Sequence, residues 1–293
     1  MAQDRLDFAY EQCAHTLRQQ DSDRYFASLF LPSEKRRHVM ALYAFSAEIA
    51  HIQGSIKESL TGEIRLQWWR DALDLLEHSS KAGEGLEGQS SPVVMALADT
   101  VARFSLPVSF LRNLVDARVF DIYQEPMPTV NDLEGYCGET CSVLFQMVAT
   151  ILAGQQIDAS EASGHSGVAY TLTGLLRAFP WHARHGKLYI PLSLFQQRSI
   201  DHQDVFEGNS EADVKQVLHD AREIAQNHLN LAEQAIQQLP GSIRAAYLPL
   251  CLVKSYLELM TRKDYQPYQS VLDIAQWRKQ WTLWRSSKKP LFA

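Results

Sequence analysis

Along almost the whole chain, apolar residues return every three or four positions, and they almost never alternate. That spacing lays one stripe along one side of a helix and leaves nothing for a sheet to bury. A first helix is expected from Asp4 to about Gln20. Pro32 suits the start of another, along whose side lie Val39, Leu42, Tyr43, Ser46, Ile49 and Gln53. Ile56, Leu60, Ile64, Trp68 and Leu75 mark a further helical face, and Trp68 with Trp69 reads as interhelical packing. Helices are then expected over 92–104, 107–123 and 131–153, the last capped by Thr129 with Asp132 and Glu134 favouring its positive end. Others should cover 158–181, 211 to just before Pro240, 242–262 and 268–286. The segment 81–92, KAGEGLEGQSSP, is a loop, and LYIP at 188–191 is the only strand-like patch. The pattern defines one all-α domain over residues 1–293.

With 46% hydrophobic residues the chain can bury a substantial core. A net charge of −6 argues against a nucleic-acid partner. No uninterrupted apolar run approaches the roughly 18 residues of a membrane span. The opening MAQDRLDFAYEQC is polar and acidic, unlike a secretory or mitochondrial presequence. Cys137 and Cys141 stand one turn apart, but two ligands fall short of the four of a structural zinc site. With Cys13 and Cys251 they read as small buried thiols in a reducing cytosol.

Two stretches carry the functional question. One is FASLFLPSEKRRHVMALYAFSAEIAHI (26–52) with GEIRLQWWRDAL (62–73) close behind; the other is GVAYTLTGLLRAFPWHARHGKLYIP (167–191). Between them lies LVDARVFDIYQEP (114–126). In this order they resemble the squalene/phytoene synthase family of head-to-head prenyl transferases, over roughly residues 20–195. The resemblance implies an isoprenoid-synthase-type helical bundle around a central cavity, with VLFQMVATIL (143–152) and AYTLTGLL (169–176) as candidate walls.

Family members carry two aspartate motifs on facing helices, each with carboxylates four residues apart. Magnesium held there binds the diphosphate of an allylic substrate, because that ion wants hard, charged oxygen ligands. By the resemblance the first motif falls on Ala50, His51 and Gly54 and the second on Ala178, Trp181 and His182, so no carboxylate stands at any of the six. Glu48 lies two residues before Ala50, about 200° round the helix, and points elsewhere. The expectation is a catalytically degenerate member with no cofactor. It is similar to a non-catalytic branch that assists assembly of respiratory complex I, and a chain without a presequence would then be expected to be a bacterial relative. The alternative is an active farnesyl or geranylgeranyl diphosphate transferase with altered metal ligation, for which magnesium would be required.

Arg177, His182, Arg184, His185 and Lys187 crowd into eleven residues without an acid. Fixed cations there would replace magnesium and hold a prenyl diphosphate or anionic lipid, with Tyr43, Arg177, His182, Lys187 and Tyr189 as the ligand-binding set. The alternative is a solvated basic helix end compensating its dipole. A transition metal on His51, His182 and His185 is conceivable, but one histidine per helix reads as structural. Asp116 and Asp121, about 140° apart on a helix, read as partners for Arg177 or Arg118. Trp277, Trp281 and Trp284 follow i, i+4, i+7 amid Lys and Arg; they are either core or a peripheral contact with an anionic membrane. Respiratory-complex subunits are the implied protein partners, and the location is cytoplasmic, peripheral to the inner membrane.

Overall fold

The computed structural model describes residues 2–56, 58–78, 91–123, 125–209, 211–269 and 271–288. Among them are the α-helices Ala2–Gln20 (α1), Ser22–Ser28 (α2), Ser33–Ile52 (α3), Ser59–His78 (α4), Pro92–Phe104 (α5), Val108–Ala117 (α6), Val119–Ile122 (α7) and Val130–Cys137 (α8). They continue with Val143–Ala153 (α9), Ser160–Arg184 (α10), Leu192–Gln196 (α11), His202–Glu207 (α12), Glu211–Gln238 (α13), Leu250–Leu259 (α14) and Gln276–Ser287 (α15). No strand forms among the described residues. Most of the expected loop at 81–92 lies outside them.

The strand-like patch at 188–191 is extended but has too little to pair with. Met127 N–H donates to Leu188 O at 2.8 Å and Leu192 N–H to Met127 O at 2.7 Å. Pro191 and Pro128 each lack an N–H, so the ladder is interrupted and only a few such bonds form. The helix expected over 131–153 comes in three pieces. Thr129 opens it with a capping box, its hydroxyl accepting from Asp132 N–H while the Asp132 carboxylate accepts from Thr129 N–H. A π-helical turn over Gly138–Ser142 then separates α8 from α9. The C-terminal helices are shorter than expected: a 3-10 turn over Arg244–Tyr247 precedes α14, and the described residues of 268–275 are not helical.

Contacts gather the chain into two compact units: Met1–Tyr123 with Val143–Ala159 and Pro240–Ala246, and Gln124–Ser142 with Ser160–Leu239 and Tyr247–Ala293. In the first, α1, α3 and α5 enclose His38, and Phe45 meets Trp69 edge-on at 5.0 Å. Helix α4 turns Leu66, Trp69, Ala72, Leu73 and Leu76 inward. Trp68 is not the packing residue expected beside Trp69. It is 42% exposed, and Leu60, Ile64 and Leu75 on its side of the helix are exposed too. Residues 68 and 69 are about 100° apart round a helix, so only one of the pair can face inward.

In the second unit α10 lies along α13, which buries Val214, Leu218, Ala221, Ala225, Leu229 and Ala232 at helical spacing. The π turn crosses α10 at Gly167, where a Cβ would stand 2.0 Å from Ser142 Oγ and 2.4 Å from its backbone nitrogen. Only glycine permits that approach. By mean hydropathy Val130–Ala153 is long and apolar enough to cross a membrane, but 72% of its most apolar window is buried inside the fold, as in a core helix. Cys13, Cys137 and Cys141 are buried and Cys251 is partly covered; no disulfide joins any of the four.

Candidate functional site

The two motif segments belong to different units. In the first, Tyr43 is buried on α3 beneath the Arg24 guanidinium, 5.1 Å above its ring. Ala50 is half-buried and His51 and Gly54 are exposed. Nothing lies within 4 Å of a Cβ built on Gly54, so packing does not demand a glycine there. Glu48 is half-buried, and burial pushes its carboxyl pKa up. It lines a surface pocket of about 310 Å³ with His51, Arg65, Trp68 and Trp69; neither Ala50 nor Gly54 lines that pocket.

In the second unit α10 runs through Pro180 and closes at Gly186, whose φ of 66° suits a left-handed cap. Lys187 N–H donates to His182 O at 2.9 Å and Gly186 N–H to Ala183 O at 3.1 Å. Two of the cations that crowd together in sequence, Arg177 and Arg184, are tied to one distant segment, 268–273. Arg177 Nε donates to Leu272 O at 3.1 Å, a terminal nitrogen reaches Asp273 at 3.3 Å, and the guanidinium lies 3.6 Å from the centre of the Tyr256 ring. Arg184 donates to Tyr268 O and Gln269 O at 3.0 and 3.2 Å. The His182 ring sits 4.7 Å from that of Tyr189, and Tyr189 in turn 6.2 Å from Tyr136. Trp181 stacks on His185 at 4.3 Å. Of the expected ligand-binding set, His182, Lys187 and Tyr189 are held together here, and Arg177 is tied to the segment 268–273.

Asp273 is the centre of that tie, and sequence reasoning did not single it out. Its Oδ1 accepts from Arg177, from the Tyr256 hydroxyl at 3.1 Å and from Lys279 at 2.7 Å. Burial alone would raise its carboxyl pKa, but the Lys279 ammonium holds it below the usual value. The contact spans 96 residues of chain, and no local pattern marks it. Asp121 is buried and paired with Arg118 at 2.9 Å, one of the two partners expected, whereas Asp116 takes Arg70 at 2.6 Å. A second unforeseen group links α10 to α13: His165 Nδ1 is 3.0 Å from His228 Nδ1, and His228 Nε2 is 3.3 Å from Glu134.

Among the described residues no three His, Cys, Asp or Glu side chains are grouped to hold a metal ion. A groove of about 680 Å³ opens elsewhere, between α14 and α15, walled by Trp277, Arg278, Trp281 and Arg262. Trp277, Trp281 and Trp284 are 65%, 58% and 45% exposed, so they are not core.

Helices of this order, with these two segments on α3 and α10, define an isoprenoid-synthase-type all-α protein. The chain belongs to the squalene/phytoene synthase family, whose profile matches residues 17–285. It is 26% identical over 280 residues to the NADH dehydrogenase (ubiquinone) complex I assembly factor 6 of Rattus norvegicus, covering 92% of this chain and 82% of that protein. It is 23% identical over 287 residues to the 15-cis-phytoene synthase of Synechococcus elongatus, covering 94% and 91%. The crystal structure of a squalene synthase from Alicyclobacillus acidocaldarius shares the fold with a TM-score of 0.76 at 20% identity, covering 90% of this chain and 96% of that one.

Proposed function

We propose that this chain is a catalytically degenerate member of its family that serves in the assembly of a respiratory complex and does not ionise prenyl diphosphates. The observation that carries the reading is the donor set at the six motif positions: alanine, histidine and glycine on α3 and its end, alanine, tryptophan and histidine on α10. None is a carboxylate, and magnesium needs charged oxygen ligands beside its substrate phosphates. The family's metal therefore does not fit these residues, and no step is routed through it. Likeness to the complex I assembly factors supports the role in assembly, with respiratory-complex subunits as partners. A cytoplasmic location, peripheral to the inner membrane, belongs to the same proposal.

A second reading keeps a ligand: a metal-free seat for a prenyl diphosphate or anionic lipid at Arg177, His182, Lys187 and Tyr189 of the second unit. His182 and Tyr189 already stand side by side, which favours it; Arg177 would have to exchange Asp273 for the ligand. Incubation with farnesyl or geranylgeranyl diphosphate and magnesium tests the main reading. The expected result is no diphosphate release above a heat-killed control. Release that EDTA abolishes would overturn it and restore the active transferase with altered metal ligation.

A further inference from the structure

Helix α15 presents two opposite faces. Lys279 and Leu283 are buried on one, with Lys279 Nζ 2.7 Å from Asp273. At about 100° per residue, Trp277, Trp281 and Trp284 fall within roughly 60° of one another on the far side of the helix. All three indoles are exposed, and the rings of Trp281 and Trp284 are 5.0 Å apart. Arg278 and Arg285 flank the stripe, Arg278 lying 5.2 Å from the Trp277 ring, and Lys288 extends it at the helix end; all three are exposed. No acid occurs from residue 276 to 288, although the chain as a whole carries a net charge of −6. The local charge therefore opposes the global one.

We propose that the tryptophan face of α15 docks on the surface of a bilayer containing anionic phospholipid. Indoles favour the headgroup boundary, where the ring leaves water and the N–H keeps a hydrogen-bond partner. Flanking cations meet lipid phosphates, and a helix lying in the plane needs no partner of complementary shape. A second copy of the same face would bring like charges together, so self-association does not explain the stripe. Arginine and tryptophan also suit protein interfaces, but the one-sided charge calls for an anionic sheet.

Vesicles of phosphatidylcholine alone, and of an equal mixture with phosphatidylglycerol, test this with the full chain. The chain should co-sediment with the mixed vesicles, lose that binding as salt rises, and shift its tryptophan emission to the blue. Each cation near the surface contributes about 5-fold, so R278Q/R285Q should weaken binding roughly 25-fold. Trp277→Ala/Trp281→Ala/Trp284→Ala should abolish it with helix content unchanged. Quenching of wild-type emission by brominated lipid reads the same contact without any variant. Equal binding by wild type and the tryptophan variant, no binding to mixed vesicles, or capture of this face by a soluble protein but not by lipid would each overturn the proposal.

Discussion

His165 and His228 face each other across α10 and α13 with their Nδ1 atoms 3.0 Å apart, and Glu134 stands behind His228. If Glu134 accepts from His228 Nε2–H, then His228 Nδ1 is the acceptor and His165 Nδ1–H the donor. Burial, and after it the charge of His228, lowers the His165 pKa, while Glu161 and Glu134 oppose the shift. The folded state thus takes up this proton less readily than the unfolded chain. Stability from this pair is complete above the ordinary histidine pKa of about 6.5 and falls as pH drops below it. Histidine C2 proton shifts followed by NMR should place His165 below that value, and Glu134→Gln should lower it further.

His38 should dominate the acid limb of stability. Tyr10 gives its hydroxyl proton to Asp99 and Thr100 gives its own to Ala96 O, so both oxygens accept from His38 Nδ1, at 2.8 and 3.0 Å. His38 Nε2 is buried without a partner, and burial pushes the pKa down to about 4. Unfolding then binds a proton between pH 6.5 and 4, so stability falls through that window. A loss on the order of 2 kcal/mol is expected in urea titrations stepped from pH 7 to 4.5. A flat profile would show that the fold leaves the ring's pKa unshifted, and a rise in stability toward acid would show that the fold holds the ring protonated.

Gly167→Ala should destabilise the protein by about 2 to 4 kcal/mol, because the added methyl meets backbone as well as the Ser142 hydroxyl. Gly164→Ala, three residues earlier with nothing within 4 Å of its Cβ, is the control and should leave chemical denaturation almost unmoved.

Acids placed at Ala50 and Gly54 should be structurally tolerated, within about 0.5 kcal/mol each, since Gly54 opens on empty space and Ala50 is half-buried. A large loss of thermal stability in A50D or G54D would mean that these positions are held small by packing.

If an anionic lipid binds at Arg177, Asp273 competes with it. Asp273→Asn should then raise affinity for a prenyl phosphate titrated in EDTA, and Arg177→Ala should lower it roughly 30- to 150-fold. Unchanged affinities in both would leave Arg177 a purely internal tie.

Period and boundaries were readable where a local cause was used, as with Pro32 before α3 and the Thr129 cap. The end expected for α10 at 181 falls short of Arg184, because that expectation leaves out Gly186, whose positive φ closes the helix. Orientation was less so. Trp68 and Trp69 are equally apolar, and only the neighbours of α4 decide which one turns inward. Trp277, Trp281 and Trp284 likewise fit a core stripe or an exposed one, and spacing alone does not choose. The crowding of cations at 177–187 did not disclose their partners, because those of Arg177 and Arg184 lie far away in the chain. The π turn at Gly138–Ser142 left no mark in the periodicity, since its cause is a helix crossing at Gly167.

The tie between α10 and the segment 268–273 also limits how short this chain can be. Arg177 and Arg184 find their acceptors at Leu272, Asp273, Tyr268 and Gln269, and Asp273 is itself fixed by Lys279. A chain trimmed at residue 266 would remove Leu272 and Asp273 from the half-buried Arg177, which stacks on Tyr256. Trimming after Ser287 spares every one of these contacts. The structure that anchors α10 therefore reaches Lys279 in α15, well beyond the last residue of the second motif segment.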